Sequence, residues 1–134
     1  MIDEKIVIDG DGEILGRIAS FAAKQALQGK QVNVINCNKA LISGNRANIL
    51  ENYLVMRRRT KVRFPSLAEK IMKRTIRGMI KYKSGRGAIA FKKLRCYNEV
   101  PHELKNEKAI HLGNKNKDLM SLQELARSLK LGSK

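Results

Sequence analysis

From Arg57 to Arg95 the chain carries fifteen Lys or Arg residues and one acid, Glu69. Thirty-nine residues with a net charge of +14 repel one another, so they must lie on a scaffold formed elsewhere and turn outward to something negative. That scaffold is at hand: residues 1–56 hold six basic and six acidic side chains, and residues 96–134 hold seven and five. With 134 residues and 43% hydrophobic content, the chain has enough apolar surface to offset the entropy of ordering one ordinary domain. A uniform excess of Lys and Arg is a solubility device. Concentration in one stretch reads instead as a contact surface for a polyanion, nucleic acid ahead of an acidic membrane.

The first residues carry Asp3, Glu4 and Asp9 among their apolar positions and lack the apolar core of a secretory signal. No run approaches the 18 or so apolar residues of a membrane span, so a soluble, cytoplasmic chain is expected. Cys37 and Cys96 are too few and too distant for a disulfide framework or a four-thiolate metal site, and are read as buried, reduced thiols.

Hydrophobic periodicity predicts an α/β fold. Lys5 to Asp9 is a β-branched run that leaves through Gly10 and Gly12. From Leu15, the residues Ile18, Ala19, Ala22 and Ala26 keep helical spacing up to Gly29. Gln31 to Asn36 reads as a second strand with Val32, Val34 and Ile35 inward, and Ala40 to Ile42 as a short third. Ala47, Leu50 and Leu54 mark another helix. Strand, helix, strand and helix in turn imply a parallel sheet. The expectation is one three-layer domain over residues 1–134: a short parallel sheet flanked by helices, with a basic helical insertion and a C-terminal helix. Its neutral α/β core lies in residues 1–56, its basic face in 57–95, and a last strand, polar segment and terminal helix in 96–134.

Ser66 and Glu69 form a capping-box pattern after Pro65. At 100° per residue, Ala68, Ile71, Met72, Ile76, Met79 and Ile80 fall on one side of the following helix, and Lys70, Lys73, Arg74, Arg77 and Lys81 on the other. A charged face is ordinarily a solvated one, but five cations without an intervening acid lack the pairing of an ordinary surface helix, so this stripe is read as phosphate-facing. Ser84, Gly85 and Gly87 suggest a flexible basic turn, Ala88 to Leu94 a short helix, and Arg95 to Tyr97 a last strand. Residues 101–118 read as polar and irregular. Ser121 and Glu124 repeat the capping box before a terminal helix with Leu122, Leu125, Ala126 and Leu129 on its apolar face, closed by Gly132. The candidate RNA-binding residues are Arg57, Arg58, Arg59, Lys61 and Arg63, then Lys70, Lys73, Arg74, Arg77 and Lys81, then Lys83, Arg86, Lys92, Lys93 and Arg95.

Signs of catalysis are weak. Gly10, Gly12 and Gly16 stand where a dinucleotide-binding loop would, but the third glycine is one residue late. Asp9, Asp11 and Glu13 would also crowd a pyrophosphate, so the turn is read as structural. His102 and His111 lack metal-site spacing and are expected to be exposed, and no serine sits in a nucleophile-elbow context. No catalytic residue, metal or cofactor is therefore expected. The six Tyr and Phe residues follow no single-strand-reader pattern, which makes phosphate and shape recognition of folded RNA the leading mechanism and stacking a minor contributor.

The order of residues resembles a known family. Ile8 and Asp9, ILGRIAS from Ile14 and VNVINCNKALISGN from Val32 resemble the first half of the large-subunit ribosomal protein thirteen family in its archaeal and eukaryotic form. RFPS from Arg63, RTIRGMI from Arg74, then Lys83, Arg86 and Gly87, and RCYNEVP from Arg95 match the second half. Lys81 and Tyr82 depart from the expected Pro and His, and Lys73 stands where an aromatic is common, though each change keeps positive or stacking character. The short stretch after Pro101 looks archaeal. The resemblance implies a non-enzymatic structural and assembly role in the large ribosomal subunit, with ribosomal RNA and neighbouring ribosomal proteins as partners and neither a membrane nor a small-molecule substrate. The rival readings are a nucleotide-dependent enzyme acting on RNA and a DNA-compacting or membrane-surface protein.

Overall fold

A computed structural model describes residues 4–59, 67–83, 85–112 and 119–131. Strand β1 (Lys5–Asp9) leads into helix α1 (Leu15–Leu27), which returns the chain to β2 (Gln31–Ile35), parallel to β1 from Lys5 opposite Gln31 to Asp9 opposite Ile35. A parallel pair needs such a crossover. A 3-10 turn (Cys37–Lys39) and β3 (Leu41–Ile42) then precede helix α2 (Arg46–Arg59). After it come α3 (Ala68–Gly78), α4 (Gly85–Lys92), β4 (Leu94–Cys96), β5 (Ala109–Ile110), β6 (Met120–Ser121) and α5 (Leu122–Leu131).

The main sheet runs β4-β2-β1-β5, all parallel. One face buries Ile8, Val32, Val34 and Leu94 under α1, which packs against α3 and α4, while α5 packs on α3 and α2. The other face buries Val7 and Ile35 with Leu104 from a 3-10 turn (His102–Leu104), and Tyr97, Val100 and Ala109 close it. Alternate residues of β1 and β2 thus serve opposite faces, the period-2 rule applied to strands covered on both sides. These are the expected layers of an α/β domain. The larger cluster is not confined to residues 1–56, since α3, α4 and β4 contribute Ile71, Met72, Ile76, Ala90 and Leu94.

Several local expectations are corrected. β3 does not join the main sheet; it pairs antiparallel with β6, Leu41 opposite Ser121. On α2, Ala47 is exposed and Ile49 is the buried residue, with Leu50 and Leu54 partly covered. Met79 stands 46% exposed because α3 ends at Gly78 and the next residues turn away from the helical path. Gly87 is buried inside α4 and not in a flexible turn: a Cβ there would lie 1.9 Å from the Lys81 carbonyl oxygen. The strand at Leu94–Cys96 starts one residue early and is not the last, because the polar segment after Pro101 supplies β5, whose hydrogen bonds to β1 complete the sheet edge. Ser66, Pro65, Ser84 and Gly132 lie outside the described residues. Leu67 occupies the cap position of α3 without a side-chain cap bond, and the Glu69 N–H donates instead to Asn98 Oδ1 at 2.7 Å, a cap supplied from across the fold. At α5 the expected cap is present: the Glu124 N–H donates to Ser121 Oγ, while the Glu124 carboxylate pairs with Arg46.

Candidate nucleic-acid interface

Helix α3 faces two ways because its apolar and basic residues recur with the helical period in opposite phase. Ala68, Ile71, Met72 and Ile76 are buried; Lys70 is exposed and Lys73, Arg74 and Arg77 are partly so. The outward side chains wall a cavity of about 220 Å³, lined by Lys70, Lys73, Arg74, Arg77 and, from α4, Phe91. A second cavity of about 300 Å³ is lined by Glu69, Lys70, Lys73, Arg95, Cys96 and Tyr97. Shared Lys70 and Lys73 make these two stretches of one groove between α3 and the α4–β4 segment. Among the described residues Glu69 is the only acid lining it.

Aromatic rings hold the cations at one end. Lys73 Nζ lies 5.2 Å from the Phe91 ring centroid, Arg77 Cζ 4.7 Å from that of Tyr82, and Lys83 Nζ 5.9 Å from Tyr82. Tyr82 and Phe91 meet edge to face at 5.9 Å. These contacts orient positive charge without neutralising it, as a carboxylate partner would.

Five of the predicted cations therefore line one groove, Lys70, Lys73, Arg74, Arg77 and Arg95, and Lys83 lies beside Tyr82 next to it. Others are placed differently. Arg57 donates to the Leu129 carbonyl near the end of α5, and Lys93 Nζ lies 3.4 Å from the Gly29 carbonyl oxygen, so both also serve the fold. Arg58 and Arg59 are exposed at the end of α2, and Lys81, Arg86 and Lys92 are exposed around α4. Lys61 and Arg63 lie outside the described residues.

The glycine turn after β1 is occupied by its own hydrogen bonds. The Gly10 N–H donates to the Ile35 carbonyl, Gly12 to Lys39, Glu13 to Gly10, and Asp11 to Asp9 Oδ1. Asn36, where an acidic ribose ligand would stand, donates its amide to Asp9 Oδ1 at 3.0 Å, and Glu13 is buried. A phosphate-cradling loop needs those N–H groups pointing at a ligand. Here they fasten the turn. His102 and His111 are exposed, with His111 Nδ1 3.4 Å from Asp9 Oδ2. Cys37 and Cys96 are both reduced; Cys37 is buried, and its thiol is pushed well above the ordinary range by a hydrogen bond with Cys96 and by burial.

A family model described as ribosomal protein L13 matches residues 3–103. The chain belongs to the ribosomal protein L13 family. Its relatives in that family include the large ribosomal subunit protein uL13 of Methanosarcina barkeri, 42% identical over 96% of this chain and 98% of the relative. The protein of the same name from Archaeoglobus fulgidus is 42% identical over 76% of this chain and 68% of its own length, and that of Natronomonas pharaonis 40% over 75% and 72%. These relatives are archaeal, in keeping with the form the motifs resemble. The match to the L13 family covers α3, α4 and β4, the elements that build the groove. The sequence-based candidates left out the groove's aromatics, Phe91 and Tyr97, and Tyr82, which meets Phe91 edge to face beside it. Their available signal was an aromatic set within a basic run, Tyr82 between Lys81 and Lys83 and Phe91 before Lys92.

Proposed function

We propose that this chain is a structural constituent of the large ribosomal subunit, cytoplasmic and non-enzymatic, which binds folded ribosomal RNA through phosphate and shape contacts and supports subunit assembly. In this reading residues 57–95 are the RNA-facing stretch, and residues 1–56 and 96–134 carry it. The observation that supports it best is the convergence of five cations on the α3 groove with one acid among the described lining residues. Arg74 and Arg77 suit bidentate contacts with phosphate oxygens, and Lys70 and Lys73 act as mobile point charges beside them. Arg58, Arg59, Lys81, Arg86 and Lys92, exposed at the end of α2 and around α4, add to the basic surface, and neighbouring ribosomal proteins meet the surfaces the RNA leaves open. Family membership supports the same role over the nucleotide-dependent enzyme, as do the engaged N–H groups of the glycine turn.

The test is a salt titration of binding to large-subunit ribosomal RNA. Arg74→Gln with Arg77→Gln should leave the helix folded, since Gln is nearly as good a helix former as Arg. Affinity should fall, and the slope of log affinity against log salt should shallow by roughly 0.7 to 0.9 per lost phosphate contact. Glu69→Gln should scarcely move the slope. An unchanged slope and affinity in the double variant would return the stripe to an ordinary solvated surface.

A further inference from the structure

The α3–α4 groove has more than charge. Phosphate alone requires donors on a surface, yet the lining of the smaller cavity includes an aromatic ring, Phe91, partly covered and set edge to face against Tyr82. Its volume of about 220 Å³ lies below the roughly 300–1,000 Å³ of sites that enclose drug-sized ligands, a size that suits one flat heterocycle. Lys73 Nζ occupies the space over the ring at 5.2 Å, and Arg77 lies over Tyr82 at 4.7 Å. A lysine on a flexible stem moves aside readily, and a guanidinium plane is itself a stacking surface. Nucleobases present π-faces that stack on aromatic rings and guanidinium planes, and in RNA the bases free to do so are unpaired ones splayed from loops and bulges.

We propose that the recess between α3 and α4 takes one unpaired nucleobase of the bound RNA, stacked on Phe91 beside Tyr82 and Arg77, with the flanking phosphates held by Lys70, Lys73 and Arg74. The site rests on the reading of the stripe as RNA-facing and adds what that reading lacks, a place where the protein grips a base and selects unpaired over helical RNA. Lys73 moves from the ring to a phosphate as the base enters, exchanging its contact with the ring for a charge-assisted one.

The experiment uses the full chain with a full-length large-subunit ribosomal RNA transcript. Phe91→Leu removes the π-face while keeping apolar bulk, and should weaken binding by roughly ten-fold at unchanged salt slope, because stacking releases no counterions. Phe91→Tyr should bind within about two-fold of the parent, since it restores the face. Retained affinity in folded Phe91→Leu, alongside lost affinity in the Arg74 and Arg77 double variant, overturns the base site and leaves the phosphate stripe standing. Equal loss in Phe91→Leu and Phe91→Tyr also overturns it, assigning Phe91 to packing. If neither Phe91→Leu nor the double variant changes binding, the stripe and the base site fall together. Ultraviolet cross-linking of the unmodified complex, followed by peptide mapping, needs no variant: a nucleotide adduct on Phe91 or Tyr82 is expected, and adducts confined to other peptides contradict the site.

Discussion

Gly87 shows how much a single backbone position can hold. It reads in the sequence as one of two glycines loosening a basic turn, but it is buried within α4 where the chain from Lys81 crosses close by. Gly87→Ala should therefore cost about 1–3 kcal/mol as the helix is forced off the Lys81 carbonyl. Gly78→Ala, where an added Cβ meets nothing within 4 Å, should be neutral or stabilise by up to about 1 kcal/mol. Thermal melting of the two variants checks the contrast. Cys37 carries a second prediction at this scale. Its thiol hydrogen bonds with Cys96 and is buried, which raises its pKa in the fold above the ordinary 9.0. The unfolded chain then releases a proton above pH 9 that the folded chain keeps, so this contribution to stability is complete below that pH and shrinks as pH rises through it. Cys37→Ala should reduce the fall of stability between about pH 8 and 10 relative to the parent, measured by denaturant titration at each pH.

Among the elements, α3 was the most legible, because two residue classes alternate with the same 3.6-residue period and only a helix can separate them. Its start was not. A capping box at Ser66 and Glu69 is a local device, whereas the Glu69 N–H is satisfied by Asn98, twenty-nine positions away and just past β4. Asn98→Ala should consequently destabilise by about 1 kcal/mol, the usual cost of losing a cap, and lower the melting temperature although Asn98 lies far from α3 in sequence. Helical circular dichroism at the midpoint of the parent's transition measures it. The short strands β5 and β6 escaped a pattern-based reading because two residues cannot display a period. Their existence depends on the partner strand, β1 for one and β3 for the other.

For the molecule as a whole, charge is segregated and the core is not. The basic stretch supplies Ile71, Met72 and Ile76 to the same cluster as Ile8, Ile18 and Val34, so the basic surface and the core are two sides of the same helix. Ile76→Asp places an unpaired carboxylate in that cluster at a cost of several kcal/mol, comparable with the stability of a whole domain. Loss of the cooperative melting transition is the expected result; a melt like the parent's would show that α3 is turned the other way.

Residue order alone determined which face of α3 is apolar, that β1, α1 and β2 form a parallel unit, where the excess charge lies, and the family through motifs spread from Ile8 to Pro101. Periodicity, charge and motif spacing are local quantities, readable along the chain. Only the tertiary structure decided that Arg57 reaches α5, that Asn98 caps α3, that Gly87 admits the backbone of Lys81, and that Phe91 and Tyr82 meet under Lys73 and Arg77. Each of these joins residues through packing distance, and no pattern of spacing encodes which distant groups become neighbours once the core has closed.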